Sequence, residues 1–437
     1  MMKKCIQMWV IFLIVVTLLG GCTPETAGDP PSGPEQTPTV SASLLPETGS
    51  PEPTVSAEPE PPDDPIADQL AGLTTEQKVG QLLVAGVEGY EPGEDARAAV
   101  QESQVGGIIL FGRNVTSAGQ LAGLTNGLKA LNGSYVPLFL CVDQEGGRVD
   151  RMPTEVDRTP SAQEVGTGGV KAAEAYGALL AAECAAFGLN MDFAPSLDIW
   201  SNPENTVIGD RAFNDDWEEV SMSGFFAVQA LRASGNVIPV VKHFPGHGDT
   251  VVDSHYGLPV VEKTVDELRN CELPPFDMVL SGKFWSEPLM EPAPAVMVAH
   301  ILMTAIDPER PASLSHAVVT GLLREKLGFD GVVCTDDLTM AAVSDTYGMG
   351  EAAVLALEAG CDLLLVCHGA DNLTAARDAL LEAVETGRIS QERLDESVYR
   401  ILKVKSDFAL TNDPVDENVD VSALNDQIAA LKGLLNG

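Results

Sequence analysis

Short apolar runs punctuate the chain at intervals. QLLVAGV (81–87), GGIILFG (106–112), PLFLCVD (137–143) and LNMDFAP (189–195) come first. VIPVVKH (237–243), AVMVAHI (295–301), GVVCTDD (331–337) and DLLLVCH (362–368) complete the set. The stretches between them are rich in Ala, Leu and Glu, so the pattern predicts eight βα units. Runs with no polar alternation fit strands buried on both faces, and eight such parallel strands close into a (β/α)8 barrel. An open doubly wound sheet is the other arrangement open to this pattern. No P-loop or G-x-G-x-x-G stands at a strand-to-helix junction to favour it. The expected fold class is therefore α/β, a TIM-type barrel forming a single domain over residues 66–410.

The ends of the chain have a different texture. Lys3 and Lys4 precede an apolar run from Trp9 to Leu19, too short to span a bilayer comfortably and typical of an export signal. The run ends in Leu19-Gly20-Gly21-Cys22, which resembles a bacterial lipobox and makes Cys22 the expected lipidation site. Residues 1–21 then read as a lipoprotein signal peptide, with the mature protein held to the extracytoplasmic face of the cell membrane. Residues 22–65 are rich in Pro, Glu, Ser and Thr and repeat Pro-Thr-Val-Ser-Ala at 38 and 53. With almost nothing large and apolar to bury, this segment is expected to be a disordered stalk. Residues 411–437 form a tail whose SALNDQIAALKGLL reads as one amphipathic helix.

Charge and cysteine content narrow the function. A formal charge of −38 excludes nucleic acid as an expected partner, because cations matched to phosphates dominate that affinity. Eight cysteines would permit disulfides in an exported chain. Cys5 belongs to the signal and Cys22 to the lipid, and Cys141, Cys334 and Cys367 sit in apolar runs where a buried thiol is the expectation.

Polar residues gather where the barrel predicts a site, at the C-terminal ends of strands. The third run ends in Asp143, the fifth in Lys242-His243, and the seventh in Thr335-Asp336-Asp337. After Lys242 comes KHFPGHGDTVVDSHYG (242–257), which holds three of the six histidines and is broken by Pro245, Gly246 and Gly248. His243 and His247 have the spacing of a helix-borne metal pair, but proline and glycine between them oppose a helix. No metal and no cofactor are expected. Asp253 and His255 lie two apart, so an extended loop turns both the same way. A carboxylate there fixes the imidazole tautomer for proton transfer, or else merely steadies the loop. Asp336 can act as nucleophile, base or cation stabiliser, while Asp337 is the better N-cap for a helical stretch over Leu338–Val343.

ILFGRN (109–114), VDQEGGRVDR (142–151), NPENTVIGDRAF (202–213), KHFPGHGDT with DSH (242–255), AVMVAHI (295–301) and TDDLTM (335–340) together resemble glycoside hydrolase family 3, in its β-N-acetylglucosaminidase branch. Thr206 and Ala212 depart from residues common in the family, proline and serine, without removing a catalytic group. The resemblance implies a retaining exo-β-N-acetylglucosaminidase acting on N-acetylglucosamine-containing oligosaccharides from cell wall or chitin. It implies Asp336 as nucleophile, His255 with Asp253 as acid/base, and Asp143, Arg151, Arg211, Lys242 and His243 as ligands of the terminal sugar. For Arg151 and Arg211 a structural ion pair is the other reading. Trp200 either stacks on a sugar or covers the barrel rim. A β-glucosidase or β-xylosidase of the same family, or a sugar-binding lipoprotein receptor without catalysis, are the alternatives. Few residues remain after Leu410 for the second α/β domain that many relatives carry.

Overall fold

A computed structural model describes residues 64–436, except 134, 234–236, 251–256, 285–286 and 289–290. The expected signal, the stalk up to residue 63, Cys22, Asp253 and His255 lie outside the described residues. Each of the eight apolar runs coincides with one barrel strand. They are β1 (Leu83–Gly86), β2 (Gly107–Leu110), β3 (Phe139–Val142), β4 (Met191–Asp192), β5 (Ile238–Phe244), β6 (Ala295–Val298), β7 (Val332–Asp337) and β8 (Leu363–Val366). All pair in parallel, each with its chain neighbours, and β1 closes on β8. The fold is a closed (β/α)8 barrel.

Seven of the strands are shorter than the runs that announced them, because the flanking residues already turn into loops at the barrel ends, whereas β5 equals its run in length and extends one residue further, to Phe244. β2, β3, β5, β6 and β8 are buried at every position, as strands covered by helices outside and packed side chains inside must be. Pairing is regular except at two places. The register shifts between Val241 and Phe244 where β5 meets β6, and between Cys334 and Asp337 where β7 meets β8. Both shifts lie at the C-terminal mouth, where bulges re-aim side chains.

The first helix, Pro65–Ala71, begins one residue before the expected boundary. Asp64 caps it through Oδ1, which accepts from the Ile66 and Ala67 N–H groups at 3.0 and 3.1 Å. Its other oxygen accepts from the Tyr399 hydroxyl at 3.1 Å, tying this helix to the helix Gln391–Asp407. The tail forms the helix Val421–Leu435, whose buried Leu424, Ile428 and Leu431 follow the 3.6-residue period onto the helices Ala162–Thr167 and Gly169–Ala186. All six cysteines among the described residues are free, five of them buried.

One expectation is corrected. The helix after β7 spans Ala341–Tyr347, and Asp337 does not cap it. Its Oδ1 accepts from the Thr339 N–H at 2.9 Å and the Cys367 N–H at 3.0 Å, and Oδ2 accepts from the Thr339 hydroxyl at 2.5 Å. A tight turn over Leu338–Met340 intervenes, and Asp337 serves that turn and the edge of β8 rather than the helix.

Candidate active site

A cavity of about 510 Å³ opens at the C-terminal mouth of the barrel. Its lining includes Asp143, Arg151, Arg211, Lys242, His243 and Asp336, six of the eight residues expected to bind or cleave sugar. They come from four separate barrel loops and strand ends, so only closure of the barrel brings them together.

The floor is a compact charge network. Lys242, almost wholly buried, donates through Nζ to Asp143 Oδ1 at 2.5 Å and to Glu145 Oε1 at 2.6 Å. Arg211 grips the same Glu145 in a forked pair, Nε to Oε2 at 2.8 Å and Nη2 to Oε1 at 2.7 Å. Burial works to raise the Glu145 carboxyl, but the Arg211 and Lys242 charges overcome it and hold the group well below its ordinary value. For Lys242 the balance runs the other way: burial lowers it, and Asp143 with Glu145 raise it beyond that. Both groups are therefore charged at neutral pH. Arg211 is thus an ion-pair residue and a cavity residue at once, so its two readings from sequence do not compete.

His243 is oriented from behind by Asp198, whose Oδ2 lies 2.5 Å from the ring Nδ1. The Arg211 Nη2 stands 3.2 Å from the other ring nitrogen. A guanidinium can only donate, so Nε2 accepts and Nδ1 carries the proton that Asp198 receives. Asp198 is completely buried and also accepts the His247 N–H at 2.6 Å and the Ser196 hydroxyl at 2.9 Å. Burial tends to raise it, but the contacts with His243 and His247 win and hold it at about 2.

The loop that follows β5 is locked by its glycines. Gly246 has φ +124°, a region that favours glycine. A Cβ on Gly248 would sit 1.6 Å from the Ile199 carbonyl oxygen, so any side chain there would push the two loops apart. Asn205 adds side-chain bonds to the His247 carbonyl at 2.8 Å and to Thr250 at 3.3 Å. Trp200 donates its indole N–H to the Asn205 carbonyl at 3.1 Å and is not among the residues that line the cavity.

Asp336 closes the far wall, half-buried at the end of β7. Its Oδ1 accepts the Asp337 N–H at 2.8 Å. Burial pushes its carboxyl up, and His300, the Asp337 N–H and Lys242 bring it below its ordinary value, so it stands as a carboxylate. The fully buried His300 donates its Nε2–H to the Asp337 carbonyl at 3.0 Å. Arg151 is half-buried against the cavity. Among the described residues no group of three or more His, Cys, Asp or Glu side chains could hold a metal ion.

Sequence reasoning assigned no role to Glu145 and Asp198. Asp198 was detectable as a charge inside the apolar run that follows β4, and Glu145 as an acid wedged between Asp143 and a glycine pair.

Comparison with known proteins accords with this geometry. Residues 74–404 match the glycosyl hydrolase family 3 N terminal domain. Beta-hexosaminidase A of Pseudoalteromonas piscicida is 34% identical over 76% of this chain, which spans 61% of that protein's length. Beta-hexosaminidase LpqI of Mycobacterium tuberculosis is 36% identical over 76% of this chain and 83% of its own. The solved glycoside hydrolase family 3 β-N-acetylglucosaminidase of Paenibacillus sp. str. FPU-7 superposes with a TM-score of 0.76 at 43% identity, covering 83% of this chain and 69% of that one. Barrel, cavity and relatives agree: the chain belongs to glycosyl hydrolase family 3 and carries a β-N-acetylhexosaminidase-like hydrolase domain.

Proposed function

We propose that the chain is a retaining exo-β-N-acetylglucosaminidase that removes terminal β-linked N-acetylglucosamine from cell-wall or chitin-type oligosaccharides. The observation that carries this reading is the Asp336 carboxylate, held ionised at one wall of a cavity whose floor is the Asp143–Lys242–Glu145–Arg211 charge network. A pyranose hydroxyl both donates and accepts, so alternating carboxylates and cations suit it. Asp143, Lys242, Arg211, His243 and Arg151 hold the terminal sugar. Asp336 attacks C1 as the bond to the leaving oxygen breaks, and that oxygen takes a proton from His255. In the second step water attacks C1, gives its proton to His255 and releases Asp336. Asp253 orients and charges the imidazole. Lipidation of Cys22 anchors the enzyme outside the cytoplasmic membrane.

Asp336→Asn tests the assignment, because the amide matches the carboxylate in size but cannot form the glycosyl ester. Turnover of an aryl β-N-acetylglucosaminide should vanish while the melting temperature stays. A 2-deoxy-2-fluoro inactivator should label Asp336, and a label on Asp337 or Asp143 would refute the assignment. His255→Ala should spare activated aryl glycosides more than a natural disaccharide, with azide restoring the second step. Equal slowing of both substrates, with no effect of azide, would remove His255 from proton transfer.

A further inference from the structure

The loop from Asp143 to Arg151 brings two of the proposed sugar ligands, Asp143 and Arg151, to the cavity with Glu145 between them, yet one of its own residues points away. Gln144, between Asp143 and Glu145, is completely buried. Its backbone N–H donates to Asp192 Oδ1 at 2.9 Å, and its side-chain oxygen accepts the Arg151 N–H at 2.8 Å across the loop. Its side-chain nitrogen donates at 2.9 Å to Glu183 Oε2, on the helix Gly169–Ala186. The other Glu183 oxygen accepts the Thr159 hydroxyl at 2.6 Å. Thr159 in turn accepts the Gly147 N–H through its carbonyl at 2.9 Å. One buried carboxyl thus holds both the outgoing and the returning arm of the loop.

The same helix face grips the loop a second time. Tyr176 lies seven residues before Glu183, two turns along one face. Its buried hydroxyl donates to the Glu145 carbonyl at 2.7 Å. Among the described residues, the Arg151 side chain has no comparable support. Its Nε is buried without a hydrogen-bond partner, and its backbone N–H is held by Gln144. The Arg151 backbone, from which the guanidinium reaches the cavity, is therefore held by Gln144, and Gln144 is bonded to Glu183.

We infer that Glu183 is a positioning residue for sugar binding, acting through Gln144 to place Arg151 and steady the Asp143–Glu145 stretch. The inference rests on the reading of Arg151 as a ligand of the terminal sugar. Burial, with the Asp150 charge adding to it, pushes the Glu183 carboxyl up to about 8 against the Thr159 and Gln144 hydrogen bonds. With the proton on, the 2.6 Å contact between Oε1 and the Thr159 hydroxyl reverses, the carboxyl donating and the hydroxyl accepting. A glutamine in its place reproduces this pattern, with the amide nitrogen toward Thr159 and the amide oxygen toward Gln144.

The test compares Glu183→Ala, Glu183→Gln, Thr159→Val and Arg151→Met by steady-state kinetics on an aryl β-N-acetylglucosaminide, with melting temperatures alongside. Glu183→Ala should raise KM by about 10- to 100-fold, the scale for losing a support behind a ligand residue, with kcat changed far less. Glu183→Gln should restore KM to within about twofold of the wild type, and Arg151→Met should raise KM without Glu183 being touched. If Glu183→Ala does not fold, Thr159→Val should show the same KM bias at smaller size. A normal KM in folded Glu183→Ala, or in Thr159→Val, together with a raised KM in Arg151→Met would overturn the inference alone. A normal KM in Arg151→Met would overturn the sugar-binding reading on which it stands.

Discussion

Glu145→Gln is the sharpest probe of the cavity floor. The carboxylate is nearly inaccessible and meets two cations, Arg211 through a forked pair and Lys242 at 2.6 Å. Replacing it with the isosteric amide leaves Lys242 and Arg211, both deep in the protein, with Asp143 as the sole carboxylate of the floor. Removing one partner of a buried pair typically costs about 3–5 kcal/mol, because the remaining charge stays desolvated. An exposed pair is worth about 0–1 kcal/mol, and Arg388 with Glu351 and Glu358 supplies that control on the same molecule. Urea denaturation of wild type, Glu145→Gln and Arg388→Met gives both numbers from midpoints at constant slope. The pH dependence has a definite sign. A carboxyl held below its ordinary 4.5 stabilises the fold fully above that pH and loses the contribution as the pH falls. The gap between wild type and Glu145→Gln should therefore be widest at neutral pH and shrink on acidification. A gap no larger than that of Arg388→Met, or one that widens in acid, would refute the view that Glu145 is the buried counter-ion of the site.

Lys405, buried at the opposite end of the barrel, bonds Gln81 and the Gly106 carbonyl at 2.8 and 2.9 Å, and burial drives its amine down to about 7. The cost of its charge is full below pH 7 and relieved as the pH rises toward 10.5, so wild type should gain stability over Lys405→Met across that window, measured by urea titration. A chain beginning at Asp63 should match full-length kcat and melting temperature. Asp64→Ala in that chain should lose about 1 kcal/mol by removing the cap of the first helix. Loss of kcat on truncation at Asp63 would show that the preceding segment takes part in the site.

The barrel was legible because its strands, apart from the ends of β1 and β7, are buried on both faces and so carry apolar runs that no helix period explains. Their ends were less legible, since a loop residue such as Val87 stays apolar while packing under the rim. The charged members of the site could be located for a related reason: Asp143, Lys242 and Asp336 each terminate an apolar strand, where a charge is conspicuous. Asp198 and Glu183 were hidden because their partners are distant in the chain. His243 lies 45 residues from Asp198, and Gln144 lies 39 from Glu183. No local pattern encodes such contacts. The expected helix over Leu338–Val343 failed for a local reason. Asp337 binds Thr339 and Cys367, and those bonds hold the first residues in a turn before helical geometry begins.

The two interruptions in the barrel ladder fall on the strands that supply Lys242, His243, Asp336 and Asp337. A regular strand alternates its faces and could send only one of two adjacent residues to the mouth. Here both members of each pair reach the cavity lining. Adjacent residues are spaced by covalent bonds, so neither pair depends on packing for its internal separation. The distance between the pairs is another matter, since β6 stands between β5 and β7. The spacing within each pair is thus set by the chain, and the spacing between the pairs by the pairing of β5, β6 and β7. A substitution that shifts β6 would therefore change the distance from the Lys242–His243 pair to the Asp336–Asp337 pair while leaving each pair's own spacing intact.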